Sequence, residues 1–176
     1  DWSRRLGVAA GPDRSAAYVA SNRGKRAIVA DLKSPEGMKV VRALARDADV
    51  FMESNRAGVA ERLGLGYDSL CAENKNLVYM SITGFGQGGP YADRPATDAI
   101  LQAFSGLMMS NLDKDGAPKR IEFPVPYYTT GLIAYQTLVT ALYGRAVHGG
   151  GRHLDVSLMQ AMLLFQQQGL IVREID

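Results

Sequence analysis

The sequence predicts an α/β fold built on a parallel sheet, and three observations carry that expectation. Runs rich in β-branched and aromatic residues stand at 26–33, 49–54 and 76–85. Stretches with apolar residues at helical spacing separate them. The order strand, helix, strand, helix, strand calls for right-handed βαβ units with parallel strands.

Each element follows from its residues. Residues 1–25 are rich in Gly, Ser, Arg and Pro, and read as an irregular connection. RAIVADLK (26–33) reads as a first strand centred on Ile28 and Val29. Ser34-Pro35-Glu36-Gly37 reads as a helix start with Pro in the first turn, followed by Met38, Val41, Leu44 and Ala45 at helical spacing. DVFMES (49–54) is a second strand, 58–63 and 67–74 are short helices, and NLVYMSITGF (76–85) is a third strand. A Gly/Pro-rich loop leads to Thr97-Asp98, which opens a helix through AILQAFSGLMM (99–109). Residues 110–123 read as an exposed loop or hairpin turning at Asp115-Gly116. EFPVPYYTTG (122–131) reads as a proline-stiffened entry to a helix over 128–147. A glycine turn, a short strand at 153–157 and a last helix from Ser157 to about residue 175 complete the order.

Composition narrows the function classes. With 176 residues, 47% of them hydrophobic and 22% charged, the chain suits one domain with a real core. A net charge of +2 gives no warrant for nucleic acid or a membrane surface as partner. The longest apolar stretches are too short and interrupted to cross a bilayer, and no secretory signal is visible. The single cysteine, Cys71, excludes an internal disulfide, reads as a core thiol, and fits a reducing, cytoplasmic setting. The chain opens without methionine, which predicts a piece of a longer protein.

Several motifs lose to simpler readings. Gly84, Gly86 and Gly89 form a G-x-G-x-x-G after a strand, but Pro90 and Pro95 break the chain before a helix begins. The expectation there is a loop whose backbone comes close to a ligand or another segment. His148 and His153 flank a glycine turn without ligand-spaced partners, so a metal site is not expected. A Ser-His-Asp triad lacks its G-x-S-x-G elbow. The basic residues are more informative. Lys33 follows the first strand, Arg56 the second, and Arg62 lies on the short helix behind it. Strand C-termini in an open parallel sheet share one edge where ligands bind, and cations converging there suit phosphates.

The first turn of the helix after EFPVPYYTTG raises a separate question. A helix start has unpaired N–H groups and partial positive charge, so it favours an acid. Here it holds phenols and hydroxyls instead, Tyr127 and Tyr128 among them.

Long ordered segments resemble the class III CoA-transferases, the family of formyl-CoA transferase, carnitine CoA-transferase and the α-methylacyl-CoA racemases. NRGKRAIVADLKSPEG (22–37), DVFMESNRAGVAERLGLGYDSL (49–70) and NLVYMSITGFGQGGPYADRPATD (76–98) match family segments in order, as do SGL (105–107) and GRHLDVSLMQA (151–161). The resemblance implies a Rossmann-like large domain, two full chains interlocked as a homodimer, and a small C-terminal domain and first strand that this chain lacks. It implies transfer of CoA between an acyl-CoA and a carboxylic acid, with the CoA thioester as substrate and no tightly bound cofactor.

Position by position, the resemblance puts Lys33, Ser54, Asn55, Arg56 and Arg62 among the CoA contacts. Ser54-Asn55 stands where the family has Asn-Phe, so an aromatic contact is missing. The family's nucleophilic aspartate lies four residues before a glycine. Counting back from Gly131 lands on Tyr127. The carboxylate attacks the thioester and forms a mixed anhydride, which a phenol cannot form. Phenols also titrate near pH 10, so they are protonated at neutral pH. The racemase branch adds a histidine at the position of Thr97, so its acid–base pair is missing too. Asp98 is the nearest other carboxylate, with helix capping as its simpler role. Three readings stay open: a transferase that uses another residue, a catalytically silent CoA-binding half or tandem partner, and an interaction module.

Overall fold

The computed structural model describes residues 2–5 and 7–166. They fall into two units, 1–31 and 32–176.

In the first unit, a 3-10 turn (Trp2–Arg5) is followed by α1 (Ala16–Ser21), capped by Ser15, whose Oγ accepts from Tyr18 N at 3.0 Å. Residues 1–25 are therefore not irregular throughout. The expected strand at 26–33 is absent. Residues 25–31 carry no regular structure, Ile28 is 61% exposed and Val29 fully so. β-forming residues make a strand only where a neighbour supplies a ladder, and no described segment pairs with these.

The second unit is a three-layer α/β sandwich. Its parallel sheet has the order β1-β2-β3, with β1 at Val50–Glu53, β2 at Val78–Thr83 and β3 at Arg152–Ser157. Val50 pairs with Val78, and Val78 with Arg152. The central strand reads as a continuous apolar run because helices cover both its faces. On one face Leu77 and Tyr79 pack with Ala45, Leu65 and Leu70. These come from α2 (Pro35–Arg46) and α4 (Tyr67–Glu73), and from the loop after α3 (Val59–Arg62). On the other face Met80 and Val156 pack with Ala134 of α6 (Val125–His148). Ser34 caps α2 as its sequence expects, its Oγ accepting from Gly37 N at 3.0 Å.

Two helices depart from expectation. The one after Thr97 stops early. α5 spans Asp98–Phe104, Gly106 then takes a φ of +80°, and a 3-10 turn (Leu107–Ser110) follows. The long helix begins earlier than the prolines suggest. Val125 and Pro126 already belong to α6, where a proline loses no hydrogen bond. α6 buries Thr130, Ala134 and Ala141 and exposes an apolar stripe of Leu132, Tyr135, Val139, Tyr143 and Val147. Arg145 anchors its far end to Asp49 at 2.7 Å. After β3, α7 (Leu158–Leu163) runs into a 3-10 turn (Leu164–Gln166), and the rest of the expected last helix lies outside the described residues. Cys71 is half-buried on α4 rather than in the core. No described helix is long and apolar enough to cross a membrane.

Candidate functional site

The C-terminal ends of the three strands form one rim, the edge where open parallel sheets bind ligands. Glu53, at the end of β1, is buried, and its Oε2 accepts from Asn55 N at 2.7 Å. That bond bends the chain away from the sheet. Ser54, Asn55 and Arg56 are then exposed on the turn into α3. Arg62 folds back on this turn, since a Cβ at Gly58 would lie 3.4 Å from its Nη1. Arg62 therefore lies beside Gly58, two residues after Arg56 in the chain.

Lys33 does not end a strand, as the sequence suggested. It sits in the turn before Ser34, the cap of α2.

The glycine-rich loop after β2 is fastened across the rim. Thr83 Oγ1 accepts from Gly86 N at 2.9 Å. Gln87 N donates to Asp155 Oδ2 at 2.9 Å, and Met159 N donates to the Gly84 carbonyl at 3.0 Å. The Gln87 side chain sits at 3.5 Å from Glu53 Oε1 and accepts from Gly58 N at 3.4 Å. Gly84 has a packing cause, because a Cβ there would fall 2.0 Å from Ala96 Cβ. The loop's close neighbour is thus another chain segment. Beyond it, Phe85, Tyr91 and Phe104 form an aromatic triad with centroids 5.1 to 5.7 Å apart. Tyr91 and Phe104 remain half-exposed.

Two helix starts complete the candidate site. At α5, Thr97 Oγ1 accepts from Ile100 N at 3.4 Å. Asp98 Oδ2 accepts from Gln102 Nε2 at 2.8 Å and lies 3.6 Å from Arg120 Nη1. Asp98 Oδ1 is buried without a hydrogen-bond partner. Burial pushes the Asp98 carboxyl up from its ordinary value, against the pull of Arg120 and Gln102. Gln102 is fully buried and also binds both backbone groups of Ile121. At α6 there is no side-chain cap and no acid in the first turn. Tyr127 is 41% exposed there, and Tyr128 stacks on Phe123 at 4.7 Å.

One pairing escaped the sequence reading. His153 Nε2 lies 3.0 Å from Ser81 Oγ, and its ring stacks on Tyr67 at 5.1 Å. The β2–β3 register creates this contact between residues far apart in sequence, so no local motif announces it. Among the described residues, no group of three or more His, Cys, Asp or Glu is placed to hold a metal ion.

A parallel three-stranded sheet covered by helices on both faces defines the class of this unit as a Rossmann-like α/β fold. The comparisons narrow that class: the chain belongs to CoA-transferase family III, whose model matches residues 1–173. It is 45% identical over 150 residues to the succinate–glutarate CoA-transferase of Agrobacterium fabrum, covering 85% of this chain and 38% of that protein. It is 39% identical over 172 residues to the acetyl-CoA:oxalate CoA-transferase of Acetobacter aceti, covering 97% and 44%. Among solved structures, a CAIB/BAIF family protein from Brucella suis superposes with a TM-score of 0.89 at 36% identity, covering 99% of this chain and 47% of that one. Rv3272 from M. tuberculosis superposes with a TM-score of 0.89 at 30% identity, covering 98% and 49%. The chain thus spans less than half the length of these relatives.

Proposed function

We propose that this chain is the CoA-binding part of a protein that moves CoA between an acyl-CoA and a carboxylic acid, with Tyr127 in the place of the nucleophilic carboxylate. The single observation behind the second clause is the start of α6: exposed, uncapped, without an acid, and bearing Tyr127 four residues before Gly131. Lys33, Ser54, Asn55, Arg56 and Arg62 hold the CoA phosphates and neighbouring groups on the strand-end rim. Charge-assisted hydrogen bonds to phosphate are the strongest contacts such a rim can make.

In the ordinary reaction a carboxylate oxygen attacks the thioester carbonyl, the C–S bond breaks and CoA leaves as thiolate. A phenol at this place could form only an aryl ester, and only after losing its proton. Asp98 does not take over readily. One of its oxygens is engaged by Gln102 and Arg120, and the other is enclosed. The acid-free start of α6 therefore also favours a second reading, a silent CoA-binding half that works beside an active homologous domain or partner subunit.

The test is made in the intact protein. CoA binding is measured by calorimetry, and acyl exchange between labelled CoA and acyl-CoA is followed with hydroxylamine trapping. CoA should bind, and an Arg56→Ala, Arg62→Ala double variant should bind it about tenfold or more weakly. Tyr127→Asp should gain exchange. Absence of CoA binding would remove the reading, and a trapped adduct on Asp98 in the unaltered protein would reassign the nucleophile.

A further inference from the structure

The segment that leads into α6 is held at three consecutive residues. Lys119 N donates to the Asn111 carbonyl at 2.8 Å, and Asn111 Nδ2 donates back to the Lys119 carbonyl at 2.9 Å. Arg120 Nη1 lies 3.6 Å from Asp98 Oδ2. Gln102 Oε1 accepts from Ile121 N at 2.8 Å, and Gln102 Nε2 donates to the Ile121 carbonyl at 3.0 Å.

The third hold is the most demanding. Gln102 is fully buried on α5, and a buried amide costs free energy unless its polar atoms are paired. Here they are all paired. One Nε2 hydrogen goes to Ile121 and the other to Asp98 Oδ2 at 2.8 Å, while Oε1 takes the Ile121 N–H. An apolar side chain of similar volume would fill the same space without needing these partners. What the amide adds is a donor and an acceptor side by side, the pair of groups that a neighbouring backbone would offer. Gln102 thus serves Ile121 as a one-residue strand partner.

Little slack separates Ile121 from Tyr127. The residues between them are Glu122 to Pro126, and the rings of Pro124 and Pro126 lock φ at two of these positions. Val125 N donates to the Phe123 carbonyl at 2.8 Å, and Phe123 stacks on Tyr128 at 4.7 Å. A backbone shift at Ile121 is therefore passed to the first turn of α6 rather than absorbed on the way.

We infer that Gln102 is a positioning residue that sets the place of the first turn of α6 and, with it, of the side chain at position 127. Asp98 supports it by holding the second Nε2 hydrogen, which fixes which end of the amide faces Ile121 N. The consequence for catalysis rests on the reading of position 127 as the nucleophile's place; the positioning itself does not.

The experiment uses the intact protein with 3-fluorotyrosine at position 127. Gln102→Met keeps the approximate volume and removes the amide. It should shift or broaden the fluorine resonance and speed amide exchange at Ile121 about tenfold or more. Thr97→Ala weakens the start of the same helix without touching Ile121, so it serves as the stability control and should leave both readouts in place. In a Tyr127→Asp background, Gln102→Met should lower kcat for acyl exchange about tenfold or more while KM for acyl-CoA changes less than about threefold. If Tyr127→Asp gains no exchange, the transferase reading fails, and the fluorine resonance alone decides the inference. A resonance unchanged in Gln102→Met overturns it, whatever happens at Ile121, and so does an equal change in Thr97→Ala. Where Tyr127→Asp is active, an unchanged kcat overturns it as well.

Discussion

The starts of α5 and α6 lie in one domain and solve the same problem differently. Every helix opens with unpaired N–H groups and a partial positive charge. α5 answers with Thr97 as cap and Asp98 in the first turn, held by Gln102 and Arg120. α6 has neither cap nor acid and leaves Tyr127 facing solvent. The stable start is closed, and the exposed start has room for a reacting group. A position held open at some cost to stability is what a functional position looks like, whether or not its chemistry survives.

Making the second start like the first is the strongest way to break this contrast. Tyr127→Asp should raise acyl exchange by about 100-fold or more over the unaltered protein, the scale that a positioned catalytic group supplies. An unchanged rate would mean that other parts of the reaction are missing as well. Removing the cap tests the opposite end. Thr97→Ala should cost about 1 kcal/mol in denaturant unfolding, and α6 has no side-chain cap whose loss could do the same.

A smaller effect follows from the dipole. Tyr127→Asp should add about 0.3–1 kcal/mol of stability at neutral pH. The helix start lowers the new carboxyl's folded pKa, so this gain should vanish as pH falls through the carboxylate range. Asp98 should behave in reverse. Its folded pKa is raised by burial, so the unfolded chain releases its proton first and stability declines as pH rises above the ordinary Asp value of 3.8. Asp98→Asn should flatten that decline. Denaturant midpoints between pH 3 and 7 in both proteins check it, about the range over which carboxyls titrate.

Local signals in the sequence match the local structure. Ser34-Pro35 capped a helix, and the apolar run at 76–85 became the central strand. What sequence could not supply was partnership. Ile28 and Val29 have strand chemistry but no described neighbour to pair with. Ser81 and His153 are joined only by sheet register. Gly84 was expected in a loop close to a ligand or to another segment, and only the fold shows that the neighbour is Ala96. The candidate site divides in the same way. Arg56 after β1 and the acid-free start of α6 were legible, because the strand at 49–54 and the proline-stiffened entry are local features. The Asp98–Gln102–Ile121 network and the fastening of Gln87 were not, because they join segments that no local motif links.

The exposed stripe of α6 has a colloidal consequence. Leu132, Tyr135, Val139, Tyr143 and Val147 recur every three or four residues and present one continuous greasy strip to water. Molecules showing such a strip attract one another in solution. The isolated 176-residue chain should therefore scatter light with a negative second virial coefficient, and sulfate, which strengthens apolar association, should make it more negative.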